Sequence, residues 1–162
     1  MPSVFHFSES NLVGEVETLD VANVNFGSID AAELIPVDNP VVCGDDSFEK
    51  YIRIKFTGTW TEISNMKFWK LSGAYVTDEL IKAAANVAYV QPSDVANADS
   101  AIPIVLGSAL SIQSAEGDAT IEYGVSGVTG YTKYIRMQTH STVSTPAGAG
   151  ASKVLCFQFD ES

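Results

Sequence analysis

Apolar and polar residues alternate along much of this chain, and the longest alternating run lies between Lys50 and Lys70. Ile52, Ile54, Phe56 and Trp60 occupy even positions there, while Tyr51, Arg53, Lys55, Thr57 and Thr59 occupy odd ones. Successive side chains of a strand point to opposite faces. The even set is therefore predicted to enter a core and the odd set to face outward. The run reads as a strand, a turn near Glu62 to Asn65, and a returning strand. Trp69 stands beside Phe68 between Lys67 and Lys70, so its pattern fits a core or an interface equally.

Shorter runs follow the same rule. Phe5 and Phe7 alternate near the N-terminus, Val21, Val24 and Phe26 precede Gly27, and Ile104, Leu106, Leu110 and Ile112 share a phase. Ile121, Tyr123 and Val125 alternate, as do Ile135 and Met137, then Leu155, Phe157 and Phe159. Residues 12–19 are acidic and weakly patterned. Residues 34–47, 91–103 and 144–152 are rich in Pro, Gly, Asp, Asn and Ser and read as loops. One segment, residues 77–90, suggests a helix near 78–85, with Thr77 as cap, Asp78 and Glu79 in the first turn and Ala83 to Ala85 within. Short strands separated by turn residues predict an all-β, antiparallel β-sandwich in one domain spanning residues 1–162.

Two internal echoes fit that class. Lys50-Tyr51-Ile52-Arg53 recurs as Lys133-Tyr134-Ile135-Arg136 in the same phase, and both terminal strands carry Phe-x-Phe. The second echo predicts that the termini line one core and lie close together.

Charge narrows the partners. The chain has 9 Lys and Arg against 20 Asp and Glu, a formal net charge of −11. Residues 1–49 hold ten acids and no Lys or Arg. Nucleic-acid phosphates and anionic membranes both call for clustered cations, so neither is expected as a partner. No basic segment followed by an apolar run opens the chain, and no apolar stretch has the length of a membrane span. Cys43 and Cys156 are too few for a disulfide framework and lie in no metal-ligand spacing; Cys156 reads as a buried thiol, and a bridge between the two stays open.

Reaction chemistry is scarce. His6 and His140 are the two histidines, and neither sits in a recognisable motif beside a nucleophile. The glycines of residues 124–130 and 147–151 do not open a helix after a strand, as a phosphate loop would. Asp38, Asn39, Asp45, Asp46 and Glu49 crowd one loop, and Asp45, Asp46 and Glu49 are the weak candidates for a hard cation. The chain is read as no enzyme, with no cofactor and no firm metal site. What the Lys50–Lys70 run leaves for binding is a basic, aromatic patch of Tyr51, Arg53, Lys55, Lys67, Trp69 and Lys70, suited to an acidic neighbouring subunit.

Three segments, VANVNFGSID, DSFEKYIRIKFTGTWTEISNMKFWK and YTKYIRMQTHSTVSTPAGAGASKVLCFQFDES, resemble small virion structural proteins of tailed bacteriophages. The resemblance implies a jelly-roll-like sandwich and an extended chain where the local pattern reads helix. It also implies a place on the virion after synthesis in the host cytoplasm. The role implied is capsid decoration (cement), binding the major capsid protein or another virion protein and stabilising the head. A homo-oligomer, with a trimer favoured, belongs to the same expectation. A tail or fibre component, or a carbohydrate-binding sandwich for host recognition, is the alternative.

Overall fold

A computed structural model describes residues 3–113, 130–148 and 150–162. The described chain is all-β, with two antiparallel sheets. Its strands are β1 (Val4–Asn11), β2 (Val16–Leu19), β3 (Lys50–Thr57), β4 (Ile63–Ser72), β5 (Leu80–Asn86), β6 (Leu110–Ser111), β7 (Gly130–Tyr131), β8 (Tyr134–His140) and β9 (Val154–Glu161). One sheet has the order β2-β1-β3-β8-β5, with β7 also pairing β3; the other has the order β6-β4-β9.

The two sheets share one apolar cluster. Ile52, Ile54 and Phe56 of β3 meet Met66 and Phe68 of β4, with Ile81 and Ala83 from β5 and Ile135 and Met137 from β8. Trp60, Ile63, Ile102 and Ile112 complete it. Removing each of the isoleucine, phenylalanine and methionine side chains from water favours folding by about 1.5–3 kcal/mol. The even positions of β3 thus enter the core as their period predicts. The Phe-x-Phe pairs also meet: Phe5 and Phe7 lie 6.3 Å from Phe157, centroid to centroid, and Phe56 lies 5.3 Å from Phe159. The termini are close as well, with the Ser3 backbone N–H donating to Glu161 over 2.9 Å.

Several local expectations give way to tertiary context. Residues 80–86 form strand β5 rather than a helix, paired over all seven residues with β8. Alanine propensity is a weak bias against a full antiparallel ladder, and Asp78 takes a left-handed φ of 59° where a first helical turn would need a negative one. A 3-10 turn at Leu106–Ser108 splits the expected strand 104–112, leaving only β6. Residues 21–30 form no strand; Val24 and Phe26 pack on the core from irregular backbone. Acidic residues 16–19 do form a strand, β2, because β1 offers them a partner edge. The expected strand at 119–125 lies outside the described residues.

The largest difference concerns the run from Lys50 to Lys70. Its two strands do not return on one another, because β3 belongs to one sheet and β4 to the other. The chain turns at residues 58–62, ahead of the predicted Glu62 to Asn65, and crosses the core, burying Trp60 on the way. Asn65 instead sits inside β4, with a φ of 53° where the pairing with β9 shifts register.

Candidate interaction surface

The outward face of β3 is covered, not open. Lys50, in phase with Ile52 at the end of the inner row, is fully buried and donates to Glu9 over 2.7 Å and to the Ala31 carbonyl over 2.5 Å. Tyr51 is also fully buried, with Tyr89 at 5.2 Å and Tyr134 at 6.2 Å between ring centroids. Burial, then the charge of Glu49, pushes its hydroxyl above the usual tyrosine range. Its Oη feels the nearby Arg136 charge without a hydrogen bond of good geometry among the described residues. Arg53 bonds Glu17 at 3.0 Å and stacks 4.0 Å over Tyr131 and 4.7 Å over Tyr134.

The repeated Lys-Tyr-Ile-Arg motif explains this layer. β3 and β8 are antiparallel, with Tyr51 opposite Arg136 and Ile52 opposite Ile135. Two copies of one motif running in opposite directions place each tyrosine across from the other's arginine. Each arginine then has its own acids: Arg53 has Glu15 and Glu17, and Arg136 has Asp99 at 2.6 Å and Glu49 at 3.7 Å. Tyr134 donates a short hydrogen bond to Glu15. The acids arrive on residues 15–17 and on the loops around 49 and 99, so the layer closes the sheet's outer side from several parts of the chain.

The six residues read as one patch therefore separate. Tyr51, Arg53 and Lys55 leave β3 on the outer side of the larger sheet, where Lys55 is half-buried with its Nζ 5.5 Å from Tyr131. Lys67 and Trp69 leave β4 on the far side of the smaller sheet. Lys67 is half-buried between Gln158 and Ser111, while Trp69 is only 6% exposed and lies opposite Cys156. Lys70 is buried with its Nζ 4.6 Å from the Tyr75 ring. Alternation alone placed these residues on an outward face without showing that the two strands sit in different sheets or what covers each.

Both histidines meet carboxylates. His140 Nδ1 is 2.5 Å from Asp46. His6 Nδ1 is 2.8 Å from Asp20, and its Nε2 is 3.4 Å from the Thr57 hydroxyl. The second set has the order of a carboxylate–imidazole–hydroxyl relay. Its carboxylate is 68% exposed, and neither His6 nor Thr57 lines the two hollows of the surface described below. The cation candidates do not converge: Asp46 is held by His140, Glu49 accepts from the Ser93 backbone, and Asp45 is exposed. Among the described residues no three His, Cys, Asp or Glu side chains are grouped to hold a metal. Cys43 and Cys156 are both free thiols and half-buried.

The open surface lies elsewhere. A cleft of about 1000 Å³ runs between the irregular segment 22–26, the loop 36–43, the loop 145–152 and the start of β9. Val24, Phe26, Val41 and Leu155 are among its apolar walls. Lys153 and Glu79 line it as an ion pair at 2.5 Å, both mostly covered. Gly73, with a φ of 95°, crosses so close to Ser152 that any Cβ there would strike the Ser152 carbonyl. Around the cleft, the loops 35–43 and 141–148 expose Ile35, Val37, Val42 and Val143, with Val37 at 83% and Val143 at 86%. A second hollow of about 330 Å³, lined by Asp45, Asp46 and Asp94, shares Val41 with the cleft. Sequence reasoning marked both loops by their Pro and Gly content and weighed the acids of the first for a cation, but gave the apolar residues of neither a role. Their isolated valines carry no period that would flag a surface. The chain matches no family model, no curated protein and no solved structure.

Proposed function

We propose that this protein is a non-catalytic structural component of a phage virion, most simply a capsid decoration protein that binds the major capsid protein lattice and stabilises the head. The observation that carries the reading is the apolar loop end at Ile35, Val37, Val42 and Val143 beside the cleft. Several large apolar side chains left exposed on loops around one cleft are characteristic of a face that another protein covers. The segment-level resemblance supplies the kind of partner, and the jelly-roll-like topology it implies is part of the same proposal. The crossing from β3 to β4 between sheets is compatible with that topology. Symmetric oligomers repeat one patch on each subunit, so a trimer on the capsid would present three such loop ends.

Sugar recognition has less to build on, since Trp60 and Trp69, the two tryptophans, are both buried and offer no stacking platform. The test is a particle assembled with and without this chain. Loss of the chain is expected to lower the temperature at which heads release DNA, and a reconstruction is expected to show it seated on the capsid by the 35–43 and 141–148 loops. Unchanged head stability, or density for the chain on the tail alone, would refute the decoration role.

A further inference from the structure

Three features meet on one side of the sandwich. The smaller sheet ends on β9, and among the described residues no strand pairs with its second edge. An open edge offers N–H and C=O groups to any extended chain that lies against it. The cleft borders the first residues of that strand, Val154 and Leu155, so alternate side chains of an added segment would drop into it. At Val41 the cleft meets the hollow of Asp45, Asp46 and Asp94. Asp46 holds His140, while Asp45 and Asp94 are exposed. Lys153 is the sole Lys or Arg among the described residues lining either hollow, and Glu79 already neutralises it.

We propose that this site takes an extended segment of a partner protein, with its backbone along the β9 edge, apolar side chains in the cleft and a Lys or Arg in the three-aspartate hollow. The open edge calls for an extended backbone, the cleft for apolar side chains and the aspartates for a cation. A second copy of this chain is a poor occupant, because its net charge is −11 and its first 49 residues contain no Lys or Arg. The inference rests on the interaction-protein reading above, but its test needs no particle. Failure here leaves the location on the head untouched, and a tail location would leave this site standing.

A displayed library of random peptides, selected on the immobilised full chain, tests it. Enriched sequences are expected to alternate apolar residues and to end in Lys or Arg. A free peptide of the winning sequence is expected to slow amide exchange across Val154–Glu161 by about tenfold or more. Asp94→Asn should weaken that peptide by about tenfold, a difference of about 1.4 kcal/mol. Ala151→Trp, which fills the cleft from an exposed position, should abolish binding while leaving the unfolding midpoint in place. The proposal is overturned if nothing is enriched, or if the enriched sequences lack a basic end. It is equally overturned if Asp94→Asn binds as tightly as the parent, or if β9 is protected without peptide in a concentration-dependent dimer.

Discussion

The two faces of β3 are built by different rules. The inner face is apolar at Ile52, Ile54 and Phe56, which join one continuous core, and it ends in the buried Lys50–Glu9 ion pair. The outer face is as deeply buried at Tyr51, yet it consists of ion pairs, tyrosines and arginines. Burial of the apolar row needs only shape and apolarity. On the outside each charge needs a partner, because an unpaired charge out of water is strongly unfavourable. A covered polar layer is therefore the less forgiving of the two to a single change.

Lys50→Met tests the same rule for the ion pair at the end of the inner row, where Lys50 and Glu9 share the phase of Ile52 and Phe7. It leaves Glu9 buried without its cation, and Glu9 Oε2 already has no hydrogen-bond partner among the described residues. A loss of about 4 kcal/mol in unfolding free energy is expected from urea titration, within the range for breaking a buried pair from one side. The double change Glu9→Met with Lys50→Met should recover most of it, since the uncompensated charge is then gone. If the double variant is no more stable than Lys50→Met, this buried site is held by packing and not by charge pairing.

The apolar row of the inner face gives the calibration. Ile54→Ala removes a fully buried side chain and should cost about 3 kcal/mol by the same titration. No second substitution on a partner strand should rescue it, because a cavity has no complementary charge to delete. Rescue by a distant polar change would collapse the distinction between buried charge and buried apolar surface.

These faces also differ in how far the sequence discloses them. Ile52, Ile54 and Phe56 are legible because the period of two is a local property that survives whatever surrounds the strand. Tyr51 and Arg53 are not, since their partners Glu15, Glu17, Tyr89 and Tyr134 come from 34 or more residues away. The Lys-Tyr-Ile-Arg echo did hold the needed information, but only the antiparallel register of β3 and β8 turns a repeat into a mutual contact. The same reasoning applies to β5. Its alanines favour a helix locally, and the vacant edge of β8 decides otherwise. The cleft was the least legible feature, because loops from three parts of the chain enclose it.

The tyrosines of the outer layer report on its integrity through pH. Burial is the main cause that pushes Tyr89 up to about 12, with Asp30 and Glu15 adding to it. Burial and the Glu15 hydrogen bond raise Tyr134 as well. An unfolded tyrosine ionises near 10. Above that pH the unfolded chain releases phenol protons that the folded chain still holds, so stability falls as pH rises. Below it both states are protonated and this contribution is fully present. Ultraviolet titration should show a late-ionising set in the native protein, merging with the early set in urea. Tyr134→Phe should shrink the late set by one residue while the core stays intact. A single early transition in the native protein would mean that the outer layer is open to water.

The smallest effect on stability is expected where both faces have been left behind. Val37→Ser and Val143→Ser alter side chains that solvent already surrounds, so each should change unfolding free energy by less than about 0.5 kcal/mol. If the loop end is the surface that a capsid covers, the pair should nevertheless weaken attachment to particles lacking the endogenous chain, measured by co-sedimentation. Lys67→Ser, on the far side of the smaller sheet, is the control and should attach as the parent does. Attachment lost in Lys67→Ser and kept in the valine pair would move the contact from the loop end to the outer side of β4. Burial separates those outcomes in advance, because Lys67 is half-covered and has little apolar surface to give up, whereas the valines have almost all of theirs.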